Sequence, residues 1–130
     1  MKRTALKDNS YKHTNLFQAA KSAVNGLFYA FKEERNLKID ILVFLVLWCI
    51  MLSLNFSVVE KIICCLNWAL IVSMEVINTV FERVIDRIWG EDYNEEVKIL
   101  KDMAAGAVFF LSASLVIIVG ALCIVKLGGF

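Results

Sequence analysis

The stretch IICCLNWALIVSMEVINTVFERVID, residues 62–86, decides the architecture. From Ile62 to Met74 it is almost unbroken apolar sequence, too continuous for one face of a solvated helix. From Glu75 onward it keeps helical spacing but turns acidic on one side, as a membrane helix does where it emerges into water. Upstream the helix begins near Val58, with Glu60 and Lys61 at its water end, so it covers about 58–86. Asn55, Phe56 and Ser57 make a minimal turn, and before them Ile39 to Leu54 is interrupted only by Asp40 and Ser53. With its flanks that run, about 38–54, reaches the ~17–20 residues that cross a bilayer. Downstream, Trp89 to Asn94 is a polar break with Gly90, and Met103 to Leu127 supplies a third span over about 101–127.

The region before the first span has a different pattern. Phe17, Ala20, Val24, Leu27, Phe28 and Phe31 recur at spacings of three and four, with Gln18, Lys21, Ser22, Asn25 and Lys32 elsewhere. Over about 16–36 this is an amphipathic helix, suited to the lipid headgroup layer or to packing on protein. Residues 1–15 read as a polar, basic tail and residues 16–130 as one domain. Composition agrees, since 59% of the 130 residues are hydrophobic and mean hydropathy is +0.67. A soluble domain sits near ~45–50% apolar, and a chain this short has too little interior to hide the surplus. No proline interrupts any helix. The expected fold class is all-α integral membrane, an N-terminal amphipathic surface helix followed by three transmembrane helices.

Charge sets the orientation and excludes some functions. Eight basic residues precede Ile39 and four lie from Arg83 to Lys101, whereas Lys61 and Lys126 stand alone in the opposite segments. The positive-inside rule then places the N-terminus and the second connector in the cytoplasm. The net charge of +1 gives no support for a nucleic-acid partner. Cys49, Cys64, Cys65 and Cys123 all fall in apolar runs without CxxC spacing, and His13 is the one histidine. Neither a secreted disulfide framework nor a zinc site is expected from that set.

Glu75 is the residue that apolar sequence does not explain. It lies eight residues, roughly 12 Å of helix rise, inside Arg83. An ionisable group at that depth costs about 2.5–3.5 kcal/mol on insertion scales and normally faces a protein cavity. With Glu75 at zero and 100° per residue, Asn78 falls at about −60°, Thr79 at about +40°, Glu82 at about −20° and Asp86 at about +20°. Three carboxylates and an amide thus form one stripe descending to the cytoplasmic surface. Such a stripe needs basic side chains, protons or a divalent cation to neutralise it. Arg83 and Arg87 point to other faces, and Lys101 is distant in sequence. All-oxygen ligands suit a hard cation, and magnesium is usually held by one or two carboxylates plus substrate phosphates. The stripe is therefore a candidate nucleotide site whose metal arrives with ATP, with Glu75 placed to take a proton from a lipid hydroxyl. A polar zipper between helices remains the alternative. The small residues of Met103-Ala-Ala-Gly-Ala107 read as a close helix-packing surface, and no glycine-rich phosphate loop is present.

Two motifs now carry a resemblance. The segment from Glu75 through Asn78-Thr79 and Glu82 to Asp86, followed by Lys101-Asp102-Met-Ala-Ala-Gly-Ala107, resembles the signature of the prokaryotic diacylglycerol kinase family, small three-span membrane lipid kinases. The resemblance covers about residues 17–125. Ala30-Phe31-Lys32-x-Glu34-Arg35-Asn36 is similar to the Gram-positive branch, whose members phosphorylate undecaprenol more readily than diacylglycerol. The resemblance implies that Glu75 is the catalytic base acting on the lipid substrate, with Asn78 beside it. It implies that Glu34 and Glu82 hold the Mg²⁺ of bound ATP, and that Asp86, Tyr93, Lys101 and Asp102 belong to the ATP site. It also implies a homotrimeric helix bundle in the bacterial cytoplasmic membrane, with sites shared between subunits. The sequence departs from the family at Val80-Phe81, where Ala-Ile is more usual, and in a connector one residue longer than that of the best-known branch. Asn15 and Ser22 stand where that branch has an arginine and a tyrosine facing nucleotide, so those roles are not carried over. The reading is an ATP-dependent kinase of a membrane lipid alcohol, undecaprenol first and diacylglycerol second. A non-catalytic membrane assembly or regulatory subunit is the competing class.

Overall fold

A computed structural model of the protein describes residues 15–90 and 94–128. The polar tail with His13, and the candidate nucleotide contact Tyr93, lie outside them. Four helices follow in order, α1 (Leu16–Glu33), α2 (Arg35–Ser53), α3 (Val58–Trp89) and α4 (Glu95–Gly128). No strand occurs among the described residues. Helices α2, α3 and α4 are each long and apolar enough to cross a membrane, and the chain is an all-α, multi-pass membrane protein. Large apolar side chains such as Leu45, Phe109 and Ile117 point outward, where lipid replaces the water that would forbid them.

Two boundaries differ from the sequence expectation, each for a local reason. Helix α4 starts at Glu95, six residues before the expected 101, because Asn94 caps it. The Val97 amide donates to Asn94 Oδ1 at 3.0 Å, and Glu95 and Glu96 add favourable charge to the first turn. Helix α3 runs three residues past Asp86 to Trp89 and stops at Gly90, whose φ of +58° favours glycine. At 32 residues α3 is about 48 Å long, against about 30 Å of hydrocarbon. Its last turns therefore stand clear of the bilayer core.

The turn between α2 and α3 is closed at both ends by its own chemistry. Asn55 takes a φ of +51°, its amide donates to Leu52 O at 3.2 Å, and the Phe56 amide reaches Met51 O at 2.9 Å. That pair of bonds is a Schellman ending, with buried Phe56 and Met51 supplying the accompanying apolar contact. Ser57 then opens α3 with a capping box, accepting from the Glu60 amide at 3.3 Å while the Ser57 amide donates to Glu60 Oε2 at 2.5 Å. Lys126 near the end of α4 pairs with the same Glu60 at 3.1 Å.

The core is a narrow seam of Met51, Phe56, Cys64, Ile71, Leu115 and Val119. Polar side chains join the helices along it. Asn67 Nδ2 donates to Ser114 Oγ at 2.8 Å, tying α3 to α4. Trp68 Nε1 donates to the Asp40 carbonyl at 3.2 Å, and its ring stacks on Phe44 at 4.2 Å, tying α3 to α2. The close packing expected at the small residues of α4 is not made by this chain at Gly106, where an added Cβ would meet nothing within 4 Å.

Helix α1 forms a compact unit of its own, separate from the α2–α4 unit. Phe17, Val24, Leu27 and Phe28 are exposed on it, as an amphipathic surface helix requires. Asn15, set aside above as a nucleotide contact, is its N-cap and accepts from the Gln18 amide at 2.9 Å.

Candidate functional site

The stripe on α3 is graded by depth. Glu75, Asn78 and Thr79 are 4%, 6% and 9% exposed, Glu82 is half-buried and Asp86 is exposed. Asn78 Nδ2 donates to Glu82 Oε1 at 3.2 Å, so two neighbours on the helix face hold each other. The Asn78 Oδ1 atom is buried without a hydrogen-bond partner. A buried acceptor of this kind costs about 1–3 kcal/mol unless a ligand or water satisfies it.

Glu75, Asn78 and Glu82 open onto a cleft of about 340 Å³. Its other walls come from α2, through Asn36, Ile39 and Asp40, and from α4, through Ala105, Val108 and Phe109. Asn36 shares the cleft wall with Glu75, and the carboxylates of Asp40, Glu82 and Glu34 lie within electrostatic reach of it. Asp40 Oδ2 is likewise buried without a partner. Asp40 also heads a second, largely apolar groove of about 420 Å³, which continues among α2, α3 and α4 past Val43, Trp68, Ile71 and Val116. A polar cleft at the water end therefore opens into an apolar one in the bilayer.

The remaining candidates fall around the surface end of the stripe. Lys101 Nζ pairs with Asp86 Oδ1 at 2.5 Å, so the cation distant in sequence does neutralise the stripe. Arg83, expected on another face than the stripe, forms an ion pair with Glu34, which precedes α2. Glu34 is the extended residue preceding α2, and its side chain does not cap that helix. Asp102 is exposed and does not line the cleft. Sequence reasoning overlooked Asn36 and Asp40. The signal for Asp40 was present, because an ionisable residue inside the first apolar run meets the same insertion cost that singled out Glu75. Asn36 carried no such signal.

A divalent cation fits the donor chemistry, since the acidic side chains offer hard oxygen ligands. Among the described residues no three acidic, histidine or cysteine side chains converge to hold an ion unaided. Glu34 and Glu82 would be the pair to hold Mg²⁺ with nucleotide phosphates completing its shell, as this ion commonly requires.

Comparison with known proteins agrees with the motifs. Residues 21–124 match the family model for prokaryotic diacylglycerol kinase. A diacylglycerol kinase of Synechocystis sp. is 32% identical over 108 residues, covering 83% of this chain. The chain spans 62% of that relative's length. No solved structure matches.

Proposed function

Because the chain belongs to the prokaryotic diacylglycerol kinase family, we propose that it transfers the γ-phosphoryl group of ATP to a membrane lipid alcohol. The observation that carries this reading is Glu75, a buried carboxylate on the wall of a polar cleft that shares Asp40 with an apolar groove. An amphiphilic acceptor needs both surfaces, with its chain in the groove and its hydroxyl beside the carboxylate.

In the proposed reaction Glu75 takes the proton from the acceptor hydroxyl, and the freed oxygen attacks the γ-phosphorus as the bond to ADP breaks. Asn78 steadies Glu82 and presents its unpartnered oxygen to the cleft. Mg²⁺, when bound with ATP on Glu34 and Glu82, supplies neutralisation of the phosphate charge. Glu34, which is ion-paired with Arg83, would exchange that partner for the ion in this role. Lys101, Asp102, Asp86 and Tyr93 are assigned to nucleotide contact from the family motif. Positioning of the two substrates against each other accounts for the rest of the acceleration.

Undecaprenol is the favoured acceptor, on the likeness of the Ala30–Asn36 segment to the Gram-positive branch, with diacylglycerol second. The protein acts as a homotrimer in the bacterial cytoplasmic membrane, with its N-terminus and its nucleotide site inside. Purified protein in nanodiscs, given γ-labelled ATP and either lipid, tests the reading. Label passing faster to undecaprenol supports it in full. A preference for diacylglycerol reverses the acceptor assignment. Label reaching neither lipid overturns the kinase reading.

A further inference from the structure

The geometry points to Trp68 as a positioning residue of this site, an inference that rests on the kinase reading above. Trp68 is two helical turns from Glu75 on α3; it lines the apolar groove and not the polar cleft. Its indole holds one turn of α2 from both ends. The N–H donates to the Asp40 carbonyl at 3.2 Å, and the ring stacks at 4.2 Å on Phe44, four residues further along. In an α-helix the carbonyl of residue 40 and the amide of residue 44 close a single turn, so both contacts fix the same piece of backbone. One turn in the other direction, Asn36 lines the cleft together with Glu75.

Beyond the apolar seam at Met51 and Leu47 near its other end, helix α2 has few specific ties to α3. Lipid tails are as apolar as its side chains, so association within the bilayer depends on specific packing and hydrogen bonds. The polar tie to α3 just before α2 begins is the ion pair of Glu34 with Arg83. Nucleotide binding uses Glu34 in the proposed mechanism and releases that tie. At that point the Trp68 strut keeps Asn36 and Asp40 on the cleft wall beside Glu75 during transfer.

The test replaces Trp68 at that site alone by benzothienylalanine, which keeps ring size and stacking but carries sulfur where the N–H was. Trp68→Phe is the genetically encoded counterpart, and 5-fluorotryptophan, which retains the N–H, is the rescue. Expected is a fall in kcat of about tenfold for benzothienylalanine and phenylalanine, since small misplacements near a reacting centre are costly, with KM for Mg–ATP within about twofold. The fluorotryptophan protein should match wild type. Geometry is read separately by spin labels at exposed Leu42 and Val80, in protein lacking the native cysteines and diluted with unlabelled copies. The α2–α3 distance distribution should widen without the N–H and recover with fluorotryptophan. An unchanged distribution overturns the strut, and so does a widened distribution with unchanged kcat. Absence of lipid phosphorylation by wild-type protein would instead remove the kinase reading, and the spin-label result would still decide whether Trp68 holds α2.

Discussion

Glu75→Gln is the perturbation that separates chemistry from architecture most cleanly. Glu75 is 4% exposed, lines the cleft with Asn36 and lies within electrostatic reach of Asp40, Glu82 and Glu34. Glutamine keeps the volume and an acceptor oxygen, so no cavity forms and the cleft keeps its walls. It removes a negative charge from among three others, and an amide is cheaper in the bilayer than a carboxylate, so melting should not fall. Loss of a general base lowers turnover by about 10²–10⁴-fold. At about 1.4 kcal/mol per decade, that adds about 3–5 kcal/mol to the barrier. The assay is initial-rate transfer of labelled phosphate to undecaprenol and to diacylglycerol, beside thermal unfolding in the same detergent. KM for Mg–ATP should stay near wild type, because no nucleotide ligand is touched. Turnover within about threefold of wild type on either lipid would refute the assignment, since an amide cannot accept the proton.

Glu82→Gln and Glu34→Gln should each weaken apparent Mg²⁺–ATP affinity as well as rate, because each removes a charged oxygen ligand. Identical Mg²⁺–ATP titrations for wild type and Glu82→Gln would defeat the ligand assignment. In protein without the native cysteines, a cysteine at Asn94 should resist a membrane-impermeant thiol reagent in intact cells, and one at Gly128 should react. Labelling of the first and not the second would place the acidic stripe away from cytoplasmic ATP. Ser57→Ala removes the side-chain acceptor of the capping box and should cost about 1 kcal/mol of stability, read as a lower unfolding midpoint with unchanged kcat. A loss of activity per folded molecule would show that this turn matters beyond its capping.

What residues 62–86 decided alone was everything governed by spacing along one helix. A thirteen-residue apolar run must sit in lipid, and 100° per residue puts Glu75, Asn78, Thr79, Glu82 and Asp86 on one face. Their order of burial, from Glu75 at the deep end to exposed Asp86, follows from that geometry. The turn was legible too, since Asn55 and Ser57 are residues that close one helix and open the next. Only the tertiary structure decided what faces the stripe. Arg83 meets Glu34 across 49 residues, Lys101 meets Asp86 across 15, and Asn36 and Asp40 come to Glu75 from another helix. Asn36 entered only as the last residue of the Ala30–Asn36 motif, with no role attached, and nothing in the spacing paired Arg83 with Glu34. The reason is the solvent. In water an apolar stripe shows which side of a helix is buried, but a membrane helix is apolar toward lipid and protein alike, so periodicity leaves its rotation against its neighbours open. That rotation is set here by a few specific contacts, Asn67 with Ser114 and Trp68 with Asp40 and Phe44, and no spacing rule in the sequence pairs them.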